Sequence, residues 1–218
     1  MKLIVSGTTG VGKSTTVNLL KKYYEKKEKK VIILGELVVD NPYFNLYFDE
    51  LYNWGYIAQL DFLMQRFKQW LLLEKKFSNI NNDDYIIIYD RHFLEDIIFA
   101  ELKFVRDNTS YLLTQSYKII FDELINKIHE FEKPEFFILL KASYDTVFER
   151  QFEKRGRTQE EKFNNKYWQD LYYRYYASKK YRNIFKENTK NFVEIDTDDS
   201  TPEEVLEKIS KYIERRTQ

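Results

Sequence analysis

Short apolar runs bounded by turn residues recur along the chain, at residues 3–6, 31–34, 85–89, 136–140 and 192–195. Each has the length of a strand, and each is apolar enough to be buried on both faces. Longer stretches between them carry apolar residues at helical spacing: 12–27, 54–77, 94–105, 111–131, 144–154, the tyrosine-rich 162–185, and 202–215. The last opens with Pro202 after Ser200-Thr201, and a proline in the first helical turn forfeits no hydrogen bond. Residues 79–84 read as a polar loop entering the third strand, and the charge-dense run 21–30 as a solvated helix end. Strands alternating with helices predict an α/β protein with a mainly parallel sheet covered on both faces. No repeat and no flexible interdomain linker interrupts the pattern.

Composition narrows the chemistry. At 218 residues, with 43% hydrophobic and 32% charged residues, the chain can bury a sizeable core in one domain. Lys+Arg and Asp+Glu both total 35, and a zero balance argues against a nucleic-acid polymer as partner. Having no cysteine excludes disulfides, thiol catalysis, Cys-zinc sites and iron–sulfur clusters. His92 and His129 lie too far apart for a metal-ligand spacing. No signal peptide or membrane span is evident, so the cytoplasm is expected. The 18 Tyr, 17 Phe and 3 Trp are an excess; most belong in packing, and a few within residues 43–70 could enclose a flat, uncharged ligand.

Three anchors point to a triphosphate. Gly7-Thr8-Thr9-Gly10-Val11-Gly12-Lys13-Ser14, followed by Thr15, matches the phosphate-loop pattern G-x-x-x-x-G-K-[ST] between a strand and a helix. Its glycines let successive N–H groups turn inward, and the next helix adds its positive end. Lys13 should reach the β- and γ-phosphates and the Ser14 hydroxyl a Mg²⁺ ion. The third strand ends in Asp90-Arg91, where ligands bind in open α/β sheets; Asp90 can face that Mg²⁺ or, more simply, cap the next helix. Lys154-Arg155-Gly156-Arg157, with Arg150 upstream, could close over the phosphates or be a solvated run. Glu36, just beyond the second strand, could take a proton from an acceptor hydroxyl or pair structurally with Arg91.

Taken in order, the phosphate loop, the segment 36–42, Trp54 with Gln59 and Arg66, Asp90-Arg91-His92 with Asp96, Arg155-Gly156-Arg157 with Glu160, and Tyr167 form a familiar series. In these the sequence resembles the bacterial deoxynucleoside kinases, the family that also holds deoxycytidine, deoxyguanosine and mitochondrial thymidine kinases. The resemblance implies a P-loop kinase fold over residues 1–218 as a single domain, a five-stranded parallel sheet flanked by helices, with an Arg-rich lid at about residues 153–161. By that resemblance Glu36 is the general base for the 5′-hydroxyl and Arg91 orients that oxygen. Gln59 reads the nucleobase edge, and Arg66 and Asp96 form a charge pair beside it. Glu160 with Tyr47 or Phe48 clamps the 3′-hydroxyl, Arg155 and Arg157 are the lid arginines, and the loop 196–200, with Asp196 and Asp198, senses the donor base. ATP with Mg²⁺ is the expected donor, and a homodimer built through residues 54–77 and 111–131 the expected assembly.

The sequence departs from the family pattern at Leu37, where proline is usual, at His92, where serine is usual, and at Phe48, which aligns with the sugar-binding tyrosine. Arg150 also lies one residue further from the lid than its counterpart. The segment 36–42 looks most like the purine-preferring bacterial members, which puts deoxyadenosine ahead of deoxyguanosine or deoxycytidine. Two rivals remain. A thymidylate-type nucleoside monophosphate kinase needs an arginine near the acceptor glutamate, yet Gly35 and Leu37 flank Glu36. A noncatalytic nucleotide switch would leave the acceptor-side residues without purpose.

Overall fold

The computed structural model describes residues 1–35, 54–77, 84–152 and 165–217. Among these, five strands form one sheet: Lys2–Ser6 (β1), Lys30–Leu34 (β2), Tyr85–Asp90 (β3), Phe136–Lys141 (β4) and Asn191–Asp196 (β5). Their order is β2-β3-β1-β4-β5 and every pairing is parallel. Ile4 of the central strand lies opposite Tyr89 on one side and Phe137 on the other. The described helices are Lys13–Lys26 (α1), Gly55–Phe77 (α2), Asp96–Arg106 (α3), Tyr111–Ile128 (α4), Tyr144–Phe152 (α5), Asn165–Tyr176 (α6), Lys179–Glu187 (α7) and Pro202–Thr217 (α8). The expected parallel sheet with helical cover is therefore present.

Strand alternation divides the core. Leu3, Val5, Ile86, Ile88, Ile138 and Leu140 face α1 and α8, packing on Val17, Leu20, Val205 and Ile209. Ile4, Ile87, Tyr89, Phe137 and Leu139 face the other way, toward α2, α3, α4, α6 and α7. The edge strands β2 and β5 are mostly half-buried, while burial on both sides explains why β1, β3 and β4 read as apolar runs. Each such Leu or Ile stabilises the fold by roughly 1.5–3 kcal/mol. Much of the aromatic excess fills the second layer, where Trp70 meets Phe67, Phe93 and Phe131 edge-on or tilted.

One expected element divides. The stretch read as one helix over 162–185 is two, because Ser178 turns extended (φ −75°, ψ 116°) and begins α7. The amides of Ala177 and Ser178 both donate to the Tyr173 carbonyl, closing α6, and Arg182 caps the Tyr176 carbonyl at 3.1 Å. No helix among the described residues is long and apolar enough to cross a membrane.

Candidate functional site

The carboxyl ends of all five strands lie along one edge, and β1, flanked by β3 and β4, opens that edge at its centre. The point where the strand order reverses is where parallel sheets bind ligands. There β1 gives way to the loop Gly7–Gly12 and then to α1. Gly7 has φ +139°, and a Cβ on it would stand 2.6 Å from the Leu140 carbonyl oxygen, so no other residue fits without moving backbone. Lys13 is buried and its ammonium donates to the carbonyls of Gly7 (3.1 Å) and Thr8 (2.9 Å). Ser14 and Thr15 are exposed in the first turn of α1, whose N–H groups and dipole favour an anion.

The neighbouring strand supplies Asp90. Its Oδ2 accepts a hydrogen bond from the Ser14 hydroxyl at 3.2 Å, while Oδ1 is buried with no hydrogen-bond partner among the described residues. A hydroxyl beside an orphaned carboxylate oxygen is a donor set suited to Mg²⁺, which binds one or two protein oxygens and completes its shell with phosphates and water. The residues thus fit the expected ion.

Arg91 follows in a left-handed conformation, φ +71°. Its buried guanidinium lies over the Phe99 ring, 5.0 Å from the centroid. Its Nη1 donates to the Gly7 carbonyl (3.2 Å), to Glu95 Oε2 (3.2 Å) and to the Tyr175 hydroxyl (2.7 Å). The Tyr175 hydroxyl in turn donates to Glu95 Oε2 at 2.7 Å. On the adjoining residue, the Tyr176 hydroxyl donates to the Leu140 carbonyl and accepts from the Thr8 amide at 3.1 Å. Burial pushes both phenols well above their ordinary range, so they keep their protons. Sequence reasoning does not single out Glu95, Tyr175 or Tyr176. The spacing His92-x-x-Glu95 is an available signal, because His92 Nδ1 accepts from the Leu94 amide while Glu95 Oε1 accepts from the His92 amide, a capping box.

A second group forms where α2 meets α3. Arg66 on α2 is ion-paired with Asp96 at the start of α3, and both are largely buried. Gln59, also buried, lies seven residues before Arg66 and so on the same face of α2. Burial, and then the Arg66 charge, lower the His92 pKa to about 3, leaving the ring neutral at pH 7. The start of α2 is pinned by a buried ion pair between Lys103 and Asp107: a Cβ on Gly55 would come within 2.5 Å of both side chains.

The loop after β5 packs beside the phosphate loop and touches it at one hydrogen bond. Asp196 Oδ1 accepts from the Asp198 amide, and Asp198 takes the Ser143 amide on both carboxylate oxygens (2.9 and 2.8 Å). Arg150 donates to the Thr197 and Asp198 carbonyls, and the Thr197 hydroxyl reaches the Val11 carbonyl at 3.4 Å. Tyr167 is buried under the Arg106 guanidinium. Glu36, Tyr47, Phe48, Arg155, Arg157 and Glu160, and with them the expected lid, lie outside the described residues.

A phosphate loop at the switch point of a parallel sheet, with a strand-end acid and arginine facing it, is the construction of a P-loop phosphotransferase. The family model described as deoxynucleoside kinase matches residues 3–216, and the chain belongs to that family of ATP-dependent phosphotransferases. It is 31% identical to the deoxyguanosine kinase of Bacillus subtilis (strain 168), over 78% of this chain and 73% of that one. It is 28% identical to the deoxyadenosine/deoxycytidine kinase of the same organism, over 79% and 74%. A solved structure of deoxyadenosine kinase from M. mycoides, with products dCMP and dCDP bound, superposes with a TM-score of 0.76 at 26% identity, covering 99% of this chain and all of that one.

Proposed function

We propose that this deoxynucleoside kinase transfers the γ-phosphoryl group of ATP to the 5′-hydroxyl of deoxyadenosine in preference to deoxyguanosine or deoxycytidine. It would act in nucleotide salvage, in the cytoplasm, as one domain over residues 1–218. The observation that sets these three bases apart from thymine is the buried Arg66–Asp96 pair on the face of α2 that also bears Gln59, while the order among the three rests on the sequence of residues 36–42. A fixed guanidinium and an amide offer donors and an acceptor to a purine edge, and a desolvated ion pair imposes strict geometry on what lies beside it. The kinship with deoxyguanosine and deoxyadenosine/deoxycytidine kinases supports the deoxynucleoside acceptor and spans all three of these bases. A competition assay among the four deoxynucleosides tests it: deoxyadenosine should show the highest kcat/KM, and thymidine as best substrate would reverse the reading.

In this reading Lys13 and the loop amides of residues 7–15 bind the triphosphate. Mg²⁺ held by Ser14 and Asp90 would neutralise charge on the phosphoryl oxygens. Arg91 orients the acceptor oxygen, Glu36 removes its proton, and Arg155 and Arg157 close over the transferred group and exclude water. Glu160 with Tyr47 or Phe48 holds the 3′-hydroxyl. Since Ser143 engages the Asp198 carboxylate, the backbone of the 196–200 loop, more than this acid, faces the donor base. A positioned base contributes about 10²–10⁴-fold, so Glu36→Gln should lower kcat by that order while triphosphate binding, measured by titration, stays near the parent value. Ile57, Met64 and Leu72 on α2, with Tyr111, Leu112 and Ile119 on α4, are exposed, and we assign this apolar face to a homodimer contact.

A further inference from the structure

Arg91 is held more elaborately than a strand-end arginine requires. A non-glycine residue at φ +71° carries backbone strain and persists only where its surroundings over-determine it. Among the described residues these surroundings include the Phe99 ring against the guanidinium face, and the Gly7 carbonyl, Glu95 and Tyr175 at Nη1. Glu95 is fully buried and divides its labour. Its Oε1 accepts from the His92 amide and shapes the turn after β3, whereas Oε2 collects Arg91 and Tyr175. The turn alone needs one acceptor; the second oxygen serves the arginine. Tyr175 completes a closed triangle, because its oxygen accepts from Arg91 while its proton goes to Glu95. That triangle ties the turn between β3 and α3, which holds both Arg91 and Glu95, to the end of α6 about 80 residues further on.

We propose that Glu95 and Tyr175 are positioning residues of the phosphoryl transfer, fixing the direction of the Arg91 guanidinium relative to the phosphate loop. This rests on the assignment of Arg91 to the acceptor oxygen. Helix α6 is suited to set that relation. Its last two residues point about 100° apart, Tyr175 to Arg91 and Tyr176 to Thr8 of the loop. One rigid element therefore grips donor-side and acceptor-side machinery together. Neither residue touches substrate; each acts through Arg91.

Tyr175→Phe keeps the ring in its packing and deletes only the oxygen. Glu95→Gln presents an acceptor on one side only, so it can satisfy either the His92 amide or Arg91. We expect kcat to fall about tenfold for Tyr175→Phe, which deletes the phenol's bonds to Arg91 and Glu95 but leaves those two paired with each other, and up to about a hundredfold for Glu95→Gln, which removes the charge opposite the guanidinium. The KM and the equilibrium affinity for the triphosphate should stay within about threefold of the parent. In an Arg91→Lys background the Tyr175→Phe change should cost less than about twofold more, because residues that act as a unit are not additive. Parent-like kcat in Tyr175→Phe overturns the proposal, and so does a full further loss in the Arg91→Lys background. A misfolded Glu95→Gln leaves the Tyr175→Phe cycle to decide. A parent enzyme inert toward every deoxynucleoside would instead remove the reading on which the proposal rests.

Discussion

At the scale of single residues, the phosphate loop uses glycine for two separable reasons. Gly7 needs both a positive φ and the empty space, since the Leu140 carbonyl stands where a Cβ would go; Gly12 has φ +105° but nothing within 4 Å of its would-be Cβ. Gly12→Ala should therefore cost only backbone strain, about 1–3 kcal/mol. Gly7→Ala must also displace β4 or the loop and should abolish triphosphate binding; isothermal titration of both variants gives the order. Local motifs of this kind are legible in the sequence because their partners lie within a few residues. Gly7 to Ser14, Asp90 and Arg91 stand where strand and motif place them. Glu95 is overshadowed in the sequence by its neighbour Asp96, and Tyr175 and Tyr176 read as packing, because the partners of the two tyrosines lie 36 to 168 residues away. No spacing rule spans such distances.

Among elements, α3 is the organiser of the helical layer on its side of the sheet. Its Asp96 pairs with α2, and its Glu101 reaches Lys118 on α4, Arg174 on α6, and Lys180 (2.5 Å) and Tyr181 on α7. Burial drives the Glu101 pKa up. Hydrogen bonds from Lys180 and Tyr181 and the charges of Lys180 and Lys118 outweigh it, so the carboxyl stays below its ordinary range. A carboxylate with a depressed folded-state pKa gives stability that is fully present above its unfolded value and lost as pH falls through the folded one. Glu101→Gln should thus lower stability by about 1–2 kcal/mol at pH 7, with the exposed lysine partner screened. It should also flatten the loss of stability below about pH 4.5, followed by thermal melts across the acid range. The strands are readable to within a residue or so at each end, since burial on both faces leaves apolar runs in β1, β3 and β4 and turn residues bound the half-buried β2 and β5. The break at Ser178 is not, because neither glycine nor proline marks it and the same tyrosine–lysine texture continues across it. Strand order is beyond a linear pattern altogether, since it depends on which edges meet.

At the scale of the whole molecule, the exposed apolar residues of α2 and α4 stand apart from the charged surface elsewhere. If they meet a second copy, Leu112→Glu with Ile119→Glu should convert a dimer to a monomer, read by light scattering on a sizing column. The double variant should retain its circular dichroism, because both residues are exposed. A monomeric parent would remove the contact. The central place of β1 has a consequence of another kind, in the order of assembly during synthesis. β1 is made before the other four strands of the sheet yet is flanked by β3 and β4, so it does not pair with β2, which follows it, and must wait for residues 85–90 and 136–141. Thr8 then waits for Tyr176, 168 residues later. At typical elongation rates that delay is on the order of ten seconds or more. A nascent chain thus carries a finished phosphate-loop sequence long before it has a phosphate loop, and its N-terminal apolar strand is a segment for chaperones to guard.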